Sequence, residues 1–336
     1  VIAERWRASF DAQPVAVAPT AFGMAVGLDD GQVVHLDART GRAHARLKVH
    51  DDGLLTLVSS PDGTLVATGG ADGRIRLSTT EGVLASGLTR AWVDRLAWID
   101  RRSVVASAGT GLFQLGLDGQ LATHDLGRGV MALTTSGAVP GLVAVAVTGA
   151  LLLAEARDLS RIEEHRLLAT PRSLAAHPRG LGWAMGTQEC SLVCLRMTDR
   201  RASRLEGYVR PARDLCFSPD GASLATSGMN LLVVWSIPRL DCNEAEASVV
   251  ETDGEPVALV RFHPSGRGLA VVTKPGNLIV LDSRTRTRQR HALAAPPTAL
   301  VFSPDGDWLA CATADGALRA YDWPSRPDPP ARNVRA

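Results

Sequence analysis

A four-residue turn that returns at a nearly constant interval constrains this 336-residue chain more than any other feature. Ser60-Pro61-Asp62-Gly63 recurs as Ser218-Pro219-Asp220-Gly221 and as Ser303-Pro304-Asp305-Gly306. His177-Pro178-Arg179-Gly180 and His263-Pro264-Ser265-Gly266 keep the same frame. Each copy lies between two short apolar runs, such as Leu215-Cys216-Phe217 and Leu224-Ala225-Thr226, so it reads as a hairpin turn joining two strands. Degenerate copies follow Ala16-Val17-Ala18, Ala97-Trp98-Ile99 and Ala132-Leu133-Thr134, which sets anchors at positions 19, 60, 99, 136, 177, 218, 263 and 303. A period of about forty residues is that of a repeat architecture in which each unit is one small sheet.

A second turn in each unit leads to a third strand: Asp30-Gly31 before Val33-Val34-His35-Leu36, Asp72-Gly73 before Ile75-Arg76-Leu77, and Asp315-Gly316 before Leu318-Arg319-Ala320-Tyr321. Asp-Gly supplies the positive φ that tight hairpins need. Apolar runs rich in Val, Leu and Ala, punctuated this often, leave little room for helices, so the chain is expected to be all-β with four strands per unit. The Ser-Pro-Asp-Gly turn, the period, and strand ends such as Trp235-Ser236, Leu281-Asp282 and Tyr321-Asp322 together resemble the WD40 repeats, over essentially the whole chain. The resemblance implies a single β-propeller, and eight anchors imply eight four-stranded blades. The Gly-His dipeptide of many WD40 units occurs nowhere and only Trp235 keeps the tryptophan, so the buried polar network of the family is not expected here.

The last unit lacks a fourth strand, because the chain turns to Pro324, Pro327, Pro329 and Pro330, and proline cannot pair as a central strand. Trp6, Ala8 and Phe10 alternate with Arg5, Arg7 and Ser9 at the period of two of a half-covered strand. Residues 4–10 are therefore expected to complete the last blade, as in the closure of WD40 rings. The propeller would span 1–323 and the proline-rich tail 324–336.

Thirty-six Lys and Arg balance 35 Asp and Glu, so no global field draws nucleic acid or an anionic membrane. Nearly all the cations are Arg, a usage in keeping with a GC-rich bacterial gene. The five cysteines, Cys190, Cys194, Cys216, Cys242 and Cys311, have no disulfide spacing and read as reduced thiols of a cytoplasmic protein. Glu4, Arg5 and Arg7 interrupt any apolar leader, and the uncharged run from Ala138 to Ala154 is cut by Pro140, Gly141 and Gly149, so it is expected to be a buried hairpin rather than a membrane span.

Reactive constellations are missing: neither lysine follows a phosphate-binding glycine turn, and no Gly-x-Ser-x-Gly or His-Glu-x-x-His occurs. Cys190 and Cys194 are too few for a zinc site, the eight histidines are scattered, and His177 and His263 take the place of the turn serine. No catalytic residue, cofactor or metal is expected. The resemblance implies instead a non-catalytic scaffold or accessory subunit that binds another protein or peptide, and the alternative is a ring holding a metal, cofactor or small ligand in its channel.

Two surfaces are candidates for docking. The loops entering each first strand carry Trp92, Asp94, Arg172, Tyr208, Arg210 and Arg213, and the resemblance makes that face the usual docking side. Arg and aromatic residues dominate interface anchors because they bury much surface at modest entropy cost. Arg172 and Arg213 precede the anchors His177 and Ser218 by the same offset, which places them side by side on adjacent blades to clamp a carboxylate-bearing loop. The second surface is a basic strip, Arg284, Arg286, Arg288 and Arg290, expected on the outer strand of the seventh blade. It would serve an acidic partner, or be balanced by the acids Asp241, Glu244, Glu246, Glu251, Asp253 and Glu255 nearby.

Overall fold

At the recurrent turn the serine hydroxyl makes two bonds: Ser60 Oγ donates to Asp62 Oδ1 at 2.7 Å and accepts the Leu65 amide at 3.0 Å, while Gly63 takes a φ of 71°. Ser218 and Ser303 repeat this arrangement. The Ser60 hydroxyl draws the Asp62 carboxyl down to about 2, and Asp220 and Asp305 are lowered for the same reason. The Asp-Gly turns reach the left-handed region at Gly31, Gly73 and Gly316.

The computed structural model describes residues 2–159, 162–283 and 287–324. Among these residues the hairpins build eight four-stranded antiparallel sheets. They span 14–48, 54–88, 93–125, 130–166, 171–205, 215–251, 257–292 and 297–322, the last completed by Glu4–Ser9. Each first strand touches that of the next sheet, and Pro14–Thr20 of the first meets Pro297–Phe302 of the eighth, so the sheets are blades of a closed ring. The uncharged run resolves into Leu142–Val147 and Ala150–Glu155, a hairpin buried on both faces because neighbouring blades cover it. Among the described residues no helix is long and apolar enough to cross a membrane.

Closure follows from one strand. Glu4–Ser9 pairs antiparallel with Ala317–Asp322, from Glu4 opposite Tyr321 to Ser9 opposite Ala317. Phe10 lies just past its end and still packs on the core of the first and eighth blades. Trp6 is buried, meets Trp308 edge-on at 5.8 Å, and its indole donates to the Ala38 carbonyl at 2.8 Å in the first blade. Indole bonds cross two other blade boundaries, Trp98 to the Val58 carbonyl at 3.1 Å and Trp323 to Asp282 at 2.7 Å. Of the tail, Pro324 is described, and residues 325–336 lie outside the described residues.

The histidines that replace the turn serine also bridge blades. His177 Nδ1 accepts the Arg179 amide at 3.1 Å within its own turn, and its Nε2 donates to the Gly221 carbonyl of the next blade at 3.1 Å. His263 does the same between Ser265 and Gly306.

The expectation that no buried polar network forms is corrected in two blades. In the second, His50 sits between Asp72 at 2.9 Å and the Thr68 hydroxyl at 2.9 Å, and Arg76 pairs with Asp72 at 2.9 Å. No glycine precedes His50, so the dipeptide is dispensable where the imidazole finds both partners. In the sixth, a tyrosine takes the central place: Tyr208 Oη accepts from the Trp235 indole at 2.7 Å and donates to the Thr226 hydroxyl at 2.8 Å.

The long interval after Ser218 holds two 3-10 turns, Pro238–Leu240 and Cys242–Glu244, which fold back onto the outer strands of the fifth blade. All five cysteines are free.

Candidate docking face

The first strand of a blade carries one residue too many near its start. Pairing skips Val15, Leu55, Asp94, Met131, Arg172, Ala258 and Thr298 in seven of the blades. A bulge of this kind leaves its residue out of the ladder and re-aims the side chain. In the sixth blade pairing begins only at Leu215, and Arg213 stands just ahead of it. Asp94, Met131, Arg172 and Arg213 thus occupy one position on four consecutive blades, and a cavity of about 290 Å³ at the channel mouth is lined by all four. Asp94, Arg172 and Arg213 are exposed and Met131 is half-buried. The other four blades offer Val15, Leu55, Ala258 and Thr298, all half-buried and uncharged, so charge occupies one arc of the mouth.

Contacts along that arc fix some charges and leave others available. Arg95 pairs with Asp94 and donates through Nε to the Met131 carbonyl at 2.7 Å. Asp214 accepts the Val260 amide and the Arg261 guanidinium, each at 2.7 Å. Arg172 donates to Gln188 Oε1 at 2.6 Å and lies against Met131 Sδ at 3.4 Å. Arg213 is anchored by its backbone, whose amide donates to Ser227 Oγ at 3.0 Å. Among the described residues, no carboxylate lies within 4.0 Å of the Arg172, Arg210 or Arg213 guanidinium. Trp92 is 68% exposed at the third blade and lines a hollow with Arg90, Asp94 and Val130.

Tyr208 requires a correction. Its loop reaches the channel-mouth face, but the ring is only 8% exposed and packs in the core between the fifth and sixth blades. Burial pushes its hydroxyl up to about 12, and both partners of that hydroxyl are internal. Val209, the next residue, is the one left exposed.

For the basic strip, the ion pairs agree with balance by the nearby acids. Arg284 and Arg286 lie outside the described residues. Arg288 and Arg290 do lie on the outer strand Thr287–Ala292, but Arg290 pairs with Asp253 and with Glu255 at 2.8 Å, and Arg288 reaches Asp253 at 3.9 Å and the Glu251 carbonyl at 2.6 Å. The acids of the preceding blade neutralise this pair, leaving little field for an outside partner.

Sequence reasoning missed Met131, whose offset from its anchor equals that of Arg172, and Lys274, an exposed lysine in the turn between two strands of the seventh blade. Burial lowers His35, to about 4, and also His50, His177 and His263, so these imidazoles are held neutral inside the fold. Among the described residues, no group of three or more His, Cys, Asp or Glu is placed to hold a metal.

Comparison with known proteins yields a consistent set. The family described as "WD domain, G-beta repeat" matches residues 41–77 and 283–322. The Echinoderm microtubule-associated protein-like 2 of Mus musculus is 29% identical over 175 residues, 49% of this chain and 25% of that protein. Pre-mRNA-processing factor 19 of Oryza sativa subsp. japonica is 27% identical over 163 residues, 46% of this chain and 31% of that protein. Meiotic recombination protein rec14 of Schizosaccharomyces pombe is 31% identical over 111 residues, 32% of this chain and 35% of that protein. The chain therefore spans about a quarter to a third of these relatives.

Proposed function

Because the chain is a WD40-repeat β-propeller, we propose that it is a non-catalytic docking module, a scaffold or accessory subunit that holds another protein against the loop face of its ring. The observation that carries this reading is the bulge position: on four consecutive blades it brings Asp94, Met131, Arg172 and Arg213 to one arc of the channel mouth. Two of these are arginines with no carboxylate within reach, and Trp92 adds an exposed aromatic beside Asp94 at the other end of the arc. Such a set has the composition of an interface anchor. The names of the relatives support the same reading. They concern microtubules, pre-mRNA processing and meiotic recombination. A shared fold does not transfer a partner, so the partner is argued from this surface.

The test is the affinity of a co-purified partner for Arg172→Ala with Arg213→Ala, set against Arg288→Ala on the outer strand. The loop pair should weaken binding by about 2–4 kcal/mol where both guanidinium groups are desolvated in the complex, and the outer-strand change should leave it unaltered. Equal affinity for all three proteins would remove the loop face from consideration.

A further inference from the structure

Beside the arc of bulged residues, a cleft of about 380 Å³ opens between the sixth and seventh blades, lined among others by Arg210, Pro211, Arg213, Met229, Pro256 and Lys274. No carboxylate lines it. Two acids neighbour it in the chain, and both are engaged elsewhere. Asp214 is turned to Arg261 and to the Val260 amide. Glu255 accepts the Thr273 hydroxyl at 2.6 Å, the Asn277 side-chain amide at 2.9 Å and Arg290 at 2.8 Å. Among the described residues, Arg210, Arg213 and Lys274 have no acidic partner within 4.0 Å.

The walls that carry these cations are fixed by backbone bonds rather than by their charges. The Arg210 amide donates to the Gly228 carbonyl at 3.1 Å, and the Lys274 amide to the Pro256 carbonyl at 2.8 Å. Gly228 has a φ of 97°, and a Cβ there would lie 2.6 Å from the Arg210 carbonyl oxygen, so the loop settles this low only over glycine. Cations held together without counterions repel one another, and a negative ligand relieves that repulsion as it binds. Arg172 continues the row on the fifth blade, and exposed Val209 lies beside Arg210.

We propose that this cleft seats an acidic segment of the docked protein, a stretch rich in Asp and Glu whose carboxylates run along Arg172, Arg213, Arg210 and Lys274. The proposal rests on the docking reading above and adds the chemistry of the partner. The four cations belong to three blades, so a string of carboxylates matches them better than a single phosphate does. Bidentate Arg–carboxylate pairing gives the contact its direction, while Val209 offers one apolar contact at the rim.

The probe is a fluorescein-labelled peptide of Glu, Asp and Leu, titrated with the full chain, alongside a control peptide in which Lys replaces every acid. The acidic peptide should bind, more weakly as salt rises, and the Lys peptide should not. Arg210→Ser combined with Lys274→Ser should weaken binding roughly tenfold or more, and Arg288→Ser should change it less than twofold. Unchanged melting temperatures establish that the variants are folded. Absence of acidic-peptide binding, equal binding by the double variant, or displacement by inorganic phosphate as efficient as by unlabelled peptide would overturn the proposal. If the acidic peptide fails while partner capture still depends on Arg172 and Arg213, the acidic segment is wrong and the docking face stands. If capture is also indifferent to those arginines, both fall.

Discussion

His177 and Gly221 meet across a blade boundary: the imidazole of the fifth blade donates to the carbonyl of a turn glycine in the sixth, and a Cβ on that glycine would lie 2.4 Å from the ring. His263 and Gly306 repeat the geometry two blades on. These turn glycines do two things, adopting a positive φ and leaving room for a neighbour's imidazole.

Gly221→Ala should therefore cost about 1–3 kcal/mol, from strain at φ +70° together with displacement of His177. Gly119→Ala is the control, since Gly119 has a φ of 78° but nothing within 4 Å of the place its new methyl group would take. Thermal denaturation of both separates the two effects. Equal losses would mean that the imidazole yields without cost.

Acid should loosen the ring before it touches the carboxylates. His35, His50, His177 and His263 all have lowered values in the fold, with burial the main cause. The unfolded chain takes up protons near 6.5, while the folded imidazoles resist them. Their stabilisation is complete above about pH 6.5 and is lost as pH falls below it, with His35 extending the loss to about 4. Melting temperature should drop between pH 7 and pH 5, and a flat profile across that window would contradict the assignment.

Trp6 should be the most sensitive residue of the closing strand. Trp6→Ala removes a buried indole, its bond to Ala38 and its contact with Trp308, for a loss of about 3–5 kcal/mol. Deleting residues 1–13 exposes the edge of Ala317–Asp322 in the eighth blade and should yield aggregating protein. A monomeric truncated chain with unaltered melting would refute the clasp.

Arg290 should act on the basic cleft without touching it. It holds Glu255, which adjoins Pro256 of the cleft, so Arg290→Ala leaves Glu255 less compensated. Acidic-peptide affinity should fall by roughly two- to fivefold, measured by anisotropy beside Arg288→Ala. Unchanged affinity would show that Glu255 has no influence on the cleft.

The hairpins, the eight units and the N-terminal partner of the last blade were legible because each depends on neighbours within a few residues or on a period. Ser60 bonds Asp62 and Leu65, and Trp6 alternates with Arg5 and Arg7. What escaped the sequence depends on distant pairs. Tyr208 looks like a surface aromatic in its loop, yet its partners Thr226 and Trp235 lie 18 and 27 residues away. For Arg290 the sequence offered balance by Asp253 and Glu255 only as one of two readings, because those acids lie 37 and 35 residues back. His50 lacks the glycine that flags its kind, so only Thr68 and Asp72 reveal its role. Arg172 and Arg213 were found because equal offset is a periodic signal, and the bulge that re-aims Arg172 is itself periodic.

The strand that completes the eighth blade also sets a timetable. Glu4–Ser9 is made before the other strands of the ring, and Ala317–Asp322, its partner, after them. Throughout the intervening synthesis Trp6 lacks Trp308, and the first blade lacks a neighbour on one side. Contacts that span so much chain form late, since loop closure must precede any gain from them. A nascent ring is consequently an open arc with an unpaired strand waiting at one end, the kind of intermediate that chaperones shield. Whatever docks on the arc from Asp94 to Arg213 meets blades finished well before the ring closes.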